Sequence, residues 1–419
     1  MILAALGINL ILGVLYAWGV MGKALAGQWH WSKADAALPM TASTVCFAVM
    51  MTFAGRCQDK IGPRWVAMLG GLMLGAGLIA SAFVTTPHGL MLTFGLVGGL
   101  GIGLGYSATT PPAIKWFPSA RKGLITGIVV SGVGLAAVYM APLTAKLLAA
   151  FDPSKNIAST FMALGIGTII LVSLLAQLLA NPPAGYSPVP AAASAGHSSR
   201  PAAARREMDW PEMLRTPQFY QLWLMFIMAA AAGLMMIMHL SIIAKEQAHV
   251  DAWGFWLIAI VALCNTLGRL LGGALSDRIG RTRTMVLVFV LQGLNMLAFS
   301  HYTTRELMIF GAAFTGLCYG PLFTLFPATT AELYGVRNLG VNYGLMFTAF
   351  GVAGVTGPYL LGGQMRDHSG SYNSSFLVSA MLLFGAAVLA LTVKTAQSAP
   401  TPPPPHGSKE DRLVTARAD

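Results

Sequence analysis

The chain has 419 residues, of which 55% are hydrophobic and only 10% charged, and it carries a net charge of +11. So little polar surface cannot cover a water-soluble globule of this length, so a soluble domain is excluded and the lipid bilayer is the expected medium. The basic excess lies mostly in connections between apolar runs, where it reads as membrane topology, and no nucleic-acid partner is expected.

In chain order, twelve apolar stretches near 20 residues fall at about 2–25, 37–56, 65–85, 89–112, 122–150, 159–180, 218–244, 252–275, 283–301, 307–331, 338–363 and 374–394. Each can cross about 30 Å of hydrocarbon at about 1.5 Å per helical residue. The first starts at Ile2 with no basic segment before it and stays apolar too long for a signal peptide, so it reads as a helix. The chain is thus expected to be an all-α membrane protein with 12 transmembrane helices.

After the second stretch comes GRCQDKIGPR, from Gly55 to Arg64, and after the eighth comes GALSDRIGR, from Gly273 to Arg281. Both read as short loops with the frame Gly-x3-Asp-x2-Gly, and a shift of 218 residues aligns Gly55 with Gly273, Asp59 with Asp277 and Gly62 with Gly280. A second match at nearly the same shift aligns Arg121 with Arg337, Gly127 with Gly344 and Gly134 with Gly351. Two coincidences at one spacing point to a chain made of two similar halves. The expected division is a six-helix bundle over 1–180, a cytoplasmic linker rich in Pro, Ala and Ser over 181–217, a second bundle over 218–394, and a disordered cytoplasmic tail over 395–419. Asp59, Arg64, Asp277 and Arg281 are candidate gating-loop residues, which could pair with acids or helix ends at the mouth of a pathway; simple turn formation and topological charge are the other reading.

Eighteen of the 26 Lys and Arg residues fall on the side of the even-numbered connections and the tail, with Arg56, Lys60, Arg64, Arg278 and Arg281 among them. By the positive-inside rule both termini are expected in the cytoplasm, the chain being multi-pass in the cell (inner) membrane. Cys46, Cys57, Cys264 and Cys318 are dispersed, with no CxxC pair. No nucleotide-binding GxxxxGK[ST] loop, no HExxH and no nucleophile-base pair occurs, so no cofactor, no metal, no catalytic residue and no enzymatic activity is expected.

One charge stands clearly inside a span. Arg269 lies in the eighth stretch, where an ionised side chain costs about 2.5 to 3.5 kcal/mol and so marks a functional position. Side chains lean toward the N-terminus of their helix, which aims Arg269 at the bilayer centre as an anion site; snorkelling to the surface is the alternative. Asn265, four residues earlier, shares its face and could orient the guanidinium, bind ligand, or simply bond a neighbouring helix. Tyr319 and Phe323 share a face in the tenth span, and Phe347 and Phe350 approximately so in the eleventh. His239, within the seventh span, is a candidate for proton handling or an interfacial residue.

With these residues in hand, the whole length to about Lys394 resembles the major facilitator superfamily, whose signature is the doubled loop motif. MLRTPQFYQLW, KWFPSARKGLITG and CNTLGRLLGGALSDRIGR resemble its monocarboxylate transporter and oxalate/formate antiporter branch, and the chain overall is similar to bacterial transporters of the lactate type, such as that of a syntrophic bacterium. The resemblance implies the major facilitator fold: two six-helix bundles related by a pseudo-two-fold axis that rock about a central cavity. It further implies carboxylate binding by Arg269, cavity positions at Tyr319, Phe323, Phe347, Leu15 and Tyr106, and a functional monomer. Oxalate carriers supply a lysine in the eleventh helix where this chain has Phe350, and animal relatives carry an aspartate where it has Asn265. One cation suits one carboxylate, so a small monocarboxylate such as L-lactate or pyruvate is the expected substrate, with H+ as the expected co-substrate. Without an acid in mid-span, since Glu332 and Asp251 sit at span ends, exchange of anions remains the alternative, and a multidrug or sugar transporter a more distant one.

Overall fold

A computed structural model of the protein describes residues 1–183, 186, 207–250 and 253–393, without the side chains of Lys33, Ala34, Ser119 and Phe255. The expected tail, most of the linker, and Asp251 lie outside the described residues. Among these the chain is helical throughout, with no strand, and twelve helices are long and apolar enough to cross a membrane. They are α1 (Ile2–Trp29), α2 (Asp35–Ile61), α3 (Pro63–Ser81), α4 (Pro87–Lys115), α5 (Lys122–Ala150), α6 (Asn156–Ala176), α7 (Pro217–Ala248), α8 (Trp256–Ile279), α9 (Arg281–Phe299), α10 (Arg305–Tyr334), α11 (Leu339–Ser369) and α12 (Asn373–Thr392). Their outer faces expose Leu, Ile, Val and Phe, including Ile170, Leu174, Phe310 and Leu391. Such a surface is stable only against lipid.

Local chemistry sets the ends. The Thr86 and Thr304 hydroxyls accept the amide hydrogens of Gly89 and Leu307 and start α4 and α10. Gly62 and Gly280 take φ of 91° and 93°, which turns the chain sharply before the next helix. These are the second glycines of the repeated motif, and the same turn therefore recurs in both halves. Proline interrupts the ladder within α2 at Pro39, α5 at Pro142 and α10 at Pro327. A π-helical stretch over Thr356–Gln364 loosens α11, and α10 is broken where Gly320 and Pro321 separate its two parts.

The helices form two six-helix bundles related by a pseudo-two-fold axis. Within the first, α3 packs on α6 and α1 on α5; within the second, α9 packs on α12 and α8 on α10. The halves meet along two seams, α2 against α11 and α5 against α8. Close backbone approach at small residues makes these seams, as is usual where lipid removes the hydrophobic drive for helix association.

One expectation about the connections needs correction. The motif residues Gly55, Arg56 and Asp59, and Gly273 and Asp277, are not in loops, because α2 and α8 continue through them to Ile61 and Ile279. Hydropathy marks where hydrocarbon ends, whereas a helix runs on until a residue such as Gly62 or Gly280 stops it. Within the 181–217 segment, Trp210–Leu214 is helical behind an Asp209–Glu212 capping box, Met208 donates its amide to the Tyr334 carbonyl at 3.0 Å, and Asn338 donates to Asp209 at 2.7 Å.

Candidate substrate-binding cavity

A cavity of about 410 Å³ lies between the halves, walled by α1, α2, α4, α5, α7, α8, α10 and α11. It reaches from Arg269 in α8 toward Ala37 at the start of α2 and Pro358 in the later part of α11. Its lining is largely aliphatic and aromatic, and Arg269 is its one charged residue among the described residues.

Arg269 is 2% exposed. Its Nε donates to Asn265 Oδ1 at 3.2 Å, one turn earlier on α8, and Nη1 donates to the Val130 carbonyl of α5 in the other half. Its guanidinium carbon stands 4.5 Å from the centroid of the Phe323 ring. These contacts hold the planar fork in place but supply no negative charge. A guanidinium has five N–H donors, so the rest of the fork is left for a ligand. A buried cation without a counter-ion carries a desolvation penalty that an anion in the cavity would offset.

The other sequence-predicted residues divide into two groups. Leu15, Tyr106, Tyr319, Phe323 and Phe347 all line the cavity with Arg269. Tyr319 and Phe323 lie edge to face at 5.4 Å across the break in α10, and Tyr106 and Phe347 meet at 5.7 Å across the halves. Asn265 and His239 do not line it. Asn265 is 3% exposed and accepts the Arg269 Nε hydrogen through its Oδ1. His239 shares a hydrogen bond with the Tyr372 hydroxyl at 2.9 Å and another with the Pro358 carbonyl at 3.1 Å, and reaches the cavity only through Pro358, which lines it.

Toward the opposite end of the molecule the repeated motif ties the two halves together. Asp59, on the last turn of α2, binds Lys115 Nζ at 3.0 Å and accepts the Val341 amide hydrogen at 3.2 Å, at the first turn of α11 in the other half. Asp277, on the last turn of α8, accepts the Gly123 and Leu124 amide hydrogens at 3.0 and 2.8 Å, at the first turn of α5. Each carboxylate thus satisfies free amides and faces the positive end of a helix dipole across the seam. The two arginines differ. Arg281 is buried and pairs with Asp277 at 2.7 Å and Glu332 at 2.9 Å, whereas Arg64 donates to the Gln177 carbonyl at the end of α6, at 2.8 Å and within its own half.

Sequence reading missed Tyr16, Phe47 and the Val130 carbonyl, all of which surround the arginine or the cavity. Ala37, the adjacent Met40 and Thr41, Thr44 and Phe47 follow one another at three- to four-residue steps along α2, a helical stripe facing the cavity. In a helix apolar on every side this stripe carries no contrast. Tyr16 follows Leu15 in the 3₁₀ stretch Gly13–Ala17, and both line the cavity.

Twelve membrane-spanning helices in two bundles around a central cavity are the architecture of a membrane transporter. The chain belongs to the Major Facilitator Superfamily, matching its profile over residues 1–261 and 254–417. Members of that family are transporters and not enzymes. Among its relatives, the oxalate:formate antiporter of Oxalobacter formigenes is 28% identical over 99% of this chain and 95% of its own length. An uncharacterized MFS-type transporter of Escherichia coli, YhjX, is 27% identical over 82% of each chain, and monocarboxylate transporter 13 of Rattus norvegicus is 25% identical over 79% of this chain and 74% of its own. These relatives agree with the branch that the sequence motifs resemble. The fold itself is similar to the proton:xylose symporter XylE, with a TM-score of 0.73 at 11% identity over 94% of both chains, and to the Escherichia coli fucose:proton symporter FucP, with a TM-score of 0.67 at 14% identity over 93% of this chain and 98% of the other.

Proposed function

We propose that the protein moves small monocarboxylate anions of the L-lactate or pyruvate type across the inner membrane by alternating access. The observation that carries this reading is the single buried Arg269, held by neutral partners in an apolar and aromatic cavity. One fixed cation with a planar fork matches one carboxylate, and the walls match a short apolar body. A sugar site would need many more polar donors, and an exporter of cationic drugs would need a carboxylate that the described lining lacks. Residues 1–180 and 218–394 are the two rocking bodies, and 181–217 and 395–419 lie in the cytoplasm with both termini. In that orientation the cavity opens outward, and Asp59 and Asp277 hold the cytoplasmic side shut. The protein works as a monomer, because the two halves complete one cavity.

Proton symport is the preferred coupling, with His239 as the titrating side chain next to the cavity wall at Pro358. Anion exchange is the second reading, favoured by the relative that exchanges oxalate and formate and by the absence of a carboxylate from the described lining. Uptake of radiolabelled lactate, pyruvate, formate and oxalate into proteoliposomes, with and without an inward pH gradient and with and without internal anion, tests all of this. Gradient-stimulated lactate uptake supports symport, stimulation by internal anion alone supports exchange, and uptake of none of these acids overturns the proposal.

A further inference from the structure

Asn9 is the one polar side chain in the apolar first stretch of α1, Ile2–Leu12, and it is fully buried. The position 218 residues on, in the second half, is Ile227, so the repeat itself does not call for an amide here. Asn9 Nδ2 donates to the Val129 carbonyl of α5 at 2.8 Å, and its Oδ1 accepts the Thr109 hydroxyl of α4 at 3.3 Å, which sets the way the amide faces. The next carbonyl along α5, that of Val130, is the one that accepts from Arg269 Nη1. Successive carbonyls stand about 100° apart around a helix, so α5 offers one to α1 and the next to α8. The backbones leave little room for slip. A β-carbon on Gly132 of α5 would strike the Leu6 carbonyl and the Asn9 side chain, and one on Gly127 would strike the Arg269 carbonyl. At the level of the arginine, α5 is thus clasped between α1 and α8.

We infer that Asn9 is a positioning residue of the anion site, fixing α5 where the Val130 carbonyl seats the Arg269 guanidinium. This rests on the proposed monocarboxylate function and adds to it a residue that does not line the cavity. A buried asparagine can serve only to join two membrane helices, but this one holds the carbonyl adjacent to the arginine's own acceptor. Arg269 hangs from two neutral acceptors, Asn265 on its own helix and Val130 on α5, so its aim at a carboxylate depends on where both of them stand. A two-point fork is sensitive to tilt, and a displacement of about 1 Å weakens both of its bonds to a carboxylate together. Without the Asn9 amide the α1 face of α5 loses its anchor, the Val130 carbonyl moves with the helix, and the guanidinium follows. Thr109 acts one step further out, by orienting that amide.

The test is the kinetics of L-lactate uptake by the full-length protein in proteoliposomes, for wild type, Asn9→Leu, Thr109→Val, Thr109→Ser, Tyr139→Phe and Arg269→Ala. Tyr139→Phe is the control: its hydroxyl donates to the Leu10 carbonyl at 2.8 Å, which is also a bond from α5 to α1, but it stands well beyond Val130 along α5. Asn9→Leu should raise KM about tenfold with kcat within about twofold of wild type, the pattern of lost binding through a misaligned fork. Thr109→Val should raise KM in the same direction, Thr109→Ser should restore it, and Tyr139→Phe should leave it unchanged. Lactate should also raise the melting temperature of Asn9→Leu less than that of wild type. An unchanged KM in Asn9→Leu overturns the positioning role, as does a fall in kcat alone. An equal rise in Tyr139→Phe overturns it too, because any bond between α1 and α5 would then serve. If Asn9→Leu does not fold, the Thr109 pair decides on the same terms: a KM that rises with Val and returns with Ser supports the role, and one that does neither overturns it. Lactate uptake by wild type that vanishes in Arg269→Ala keeps the monocarboxylate reading standing whichever way the Asn9 and Thr109 variants fall. No lactate uptake by wild type overturns that reading and this role with it.

Discussion

Gly55 and Gly340 meet so closely across the two halves that a β-carbon on either would strike the backbone carbonyl of the other. One repeat away, Gly273 and Gly123 meet in the same manner. Both contacts stand beside a motif carboxylate, since Asp59 bonds Val341 and Asp277 bonds Gly123 and Leu124. Glycine lets the backbones touch and aspartate then joins them, and this junction between the halves is built twice from these two parts.

Gly340→Val should therefore force this end apart. Overpacking of this kind costs about 1–3 kcal/mol, and the cost falls only on the conformation in which Gly55 and Gly340 touch. Cysteine labelling from each side of the membrane should show less access to the cavity from the present open side and more from the other. Unchanged labelling in folded protein would mean that this contact does not set the equilibrium.

Asp59→Ala removes a charged acceptor that serves the amide of Val341, a bond of a type worth about 1.5–3 kcal/mol. The loss weakens one conformation and not the ligand contacts, so the rate of uptake should fall several-fold while equilibrium substrate binding changes little. Equal losses of rate and affinity would remove the gating role.

Arg269→Ala should abolish uptake of short monocarboxylates while the protein still folds, because an apolar replacement relieves the burial penalty of an uncompensated charge. Arg269→Lys should restore little, since an ammonium lacks the two-point fork and cannot hold both Asn265 and a carboxylate in one plane. Transport at the wild-type level by the alanine variant would overturn the assignment of the anion site.

Phe350→Lys places a second cation in the same cavity, which Phe350 lines with Arg269. Preference should move from monocarboxylate toward a dicarboxylate such as oxalate, read as a ratio of uptake rates. Faster monocarboxylate transport with no gain for oxalate would count against the one-cation, one-carboxylate argument.

His239→Gln keeps a group able to bond Tyr372 or the Pro358 carbonyl but cannot titrate near neutral pH. If this histidine carries the coupled proton, the variant should lose stimulation by a pH gradient and retain exchange of internal for external anion. Full gradient stimulation in the variant would exclude His239 from coupling.

Composition, span lengths and the 218-residue repeat were enough to determine that the chain is a twelve-helix membrane protein of two similar halves. Arg269 was also legible, because a charge within an apolar stretch stands out against its neighbours without any knowledge of the fold. These signals are local, or depend on comparing one part of the chain with another. What faces the cavity is different in kind. Helices that are apolar on every side have no polar face to mark their orientation, so Phe47 on α2 and Tyr16 on α1 looked like any lipid-facing or packing aromatic. Asn265 meets the guanidinium Nε from one turn earlier on the same helix, but only the packed helices put the Val130 carbonyl, 139 residues away in sequence, at Nη1. The motif aspartates show the same limit: their spacing identifies the repeat, but the partners are the amides at the start of α5 and α11, 282 residues from Asp59 in the case of Val341. Such pairings arise from how two bundles close against each other, an interaction between distant segments for which no single stretch of sequence carries a pattern.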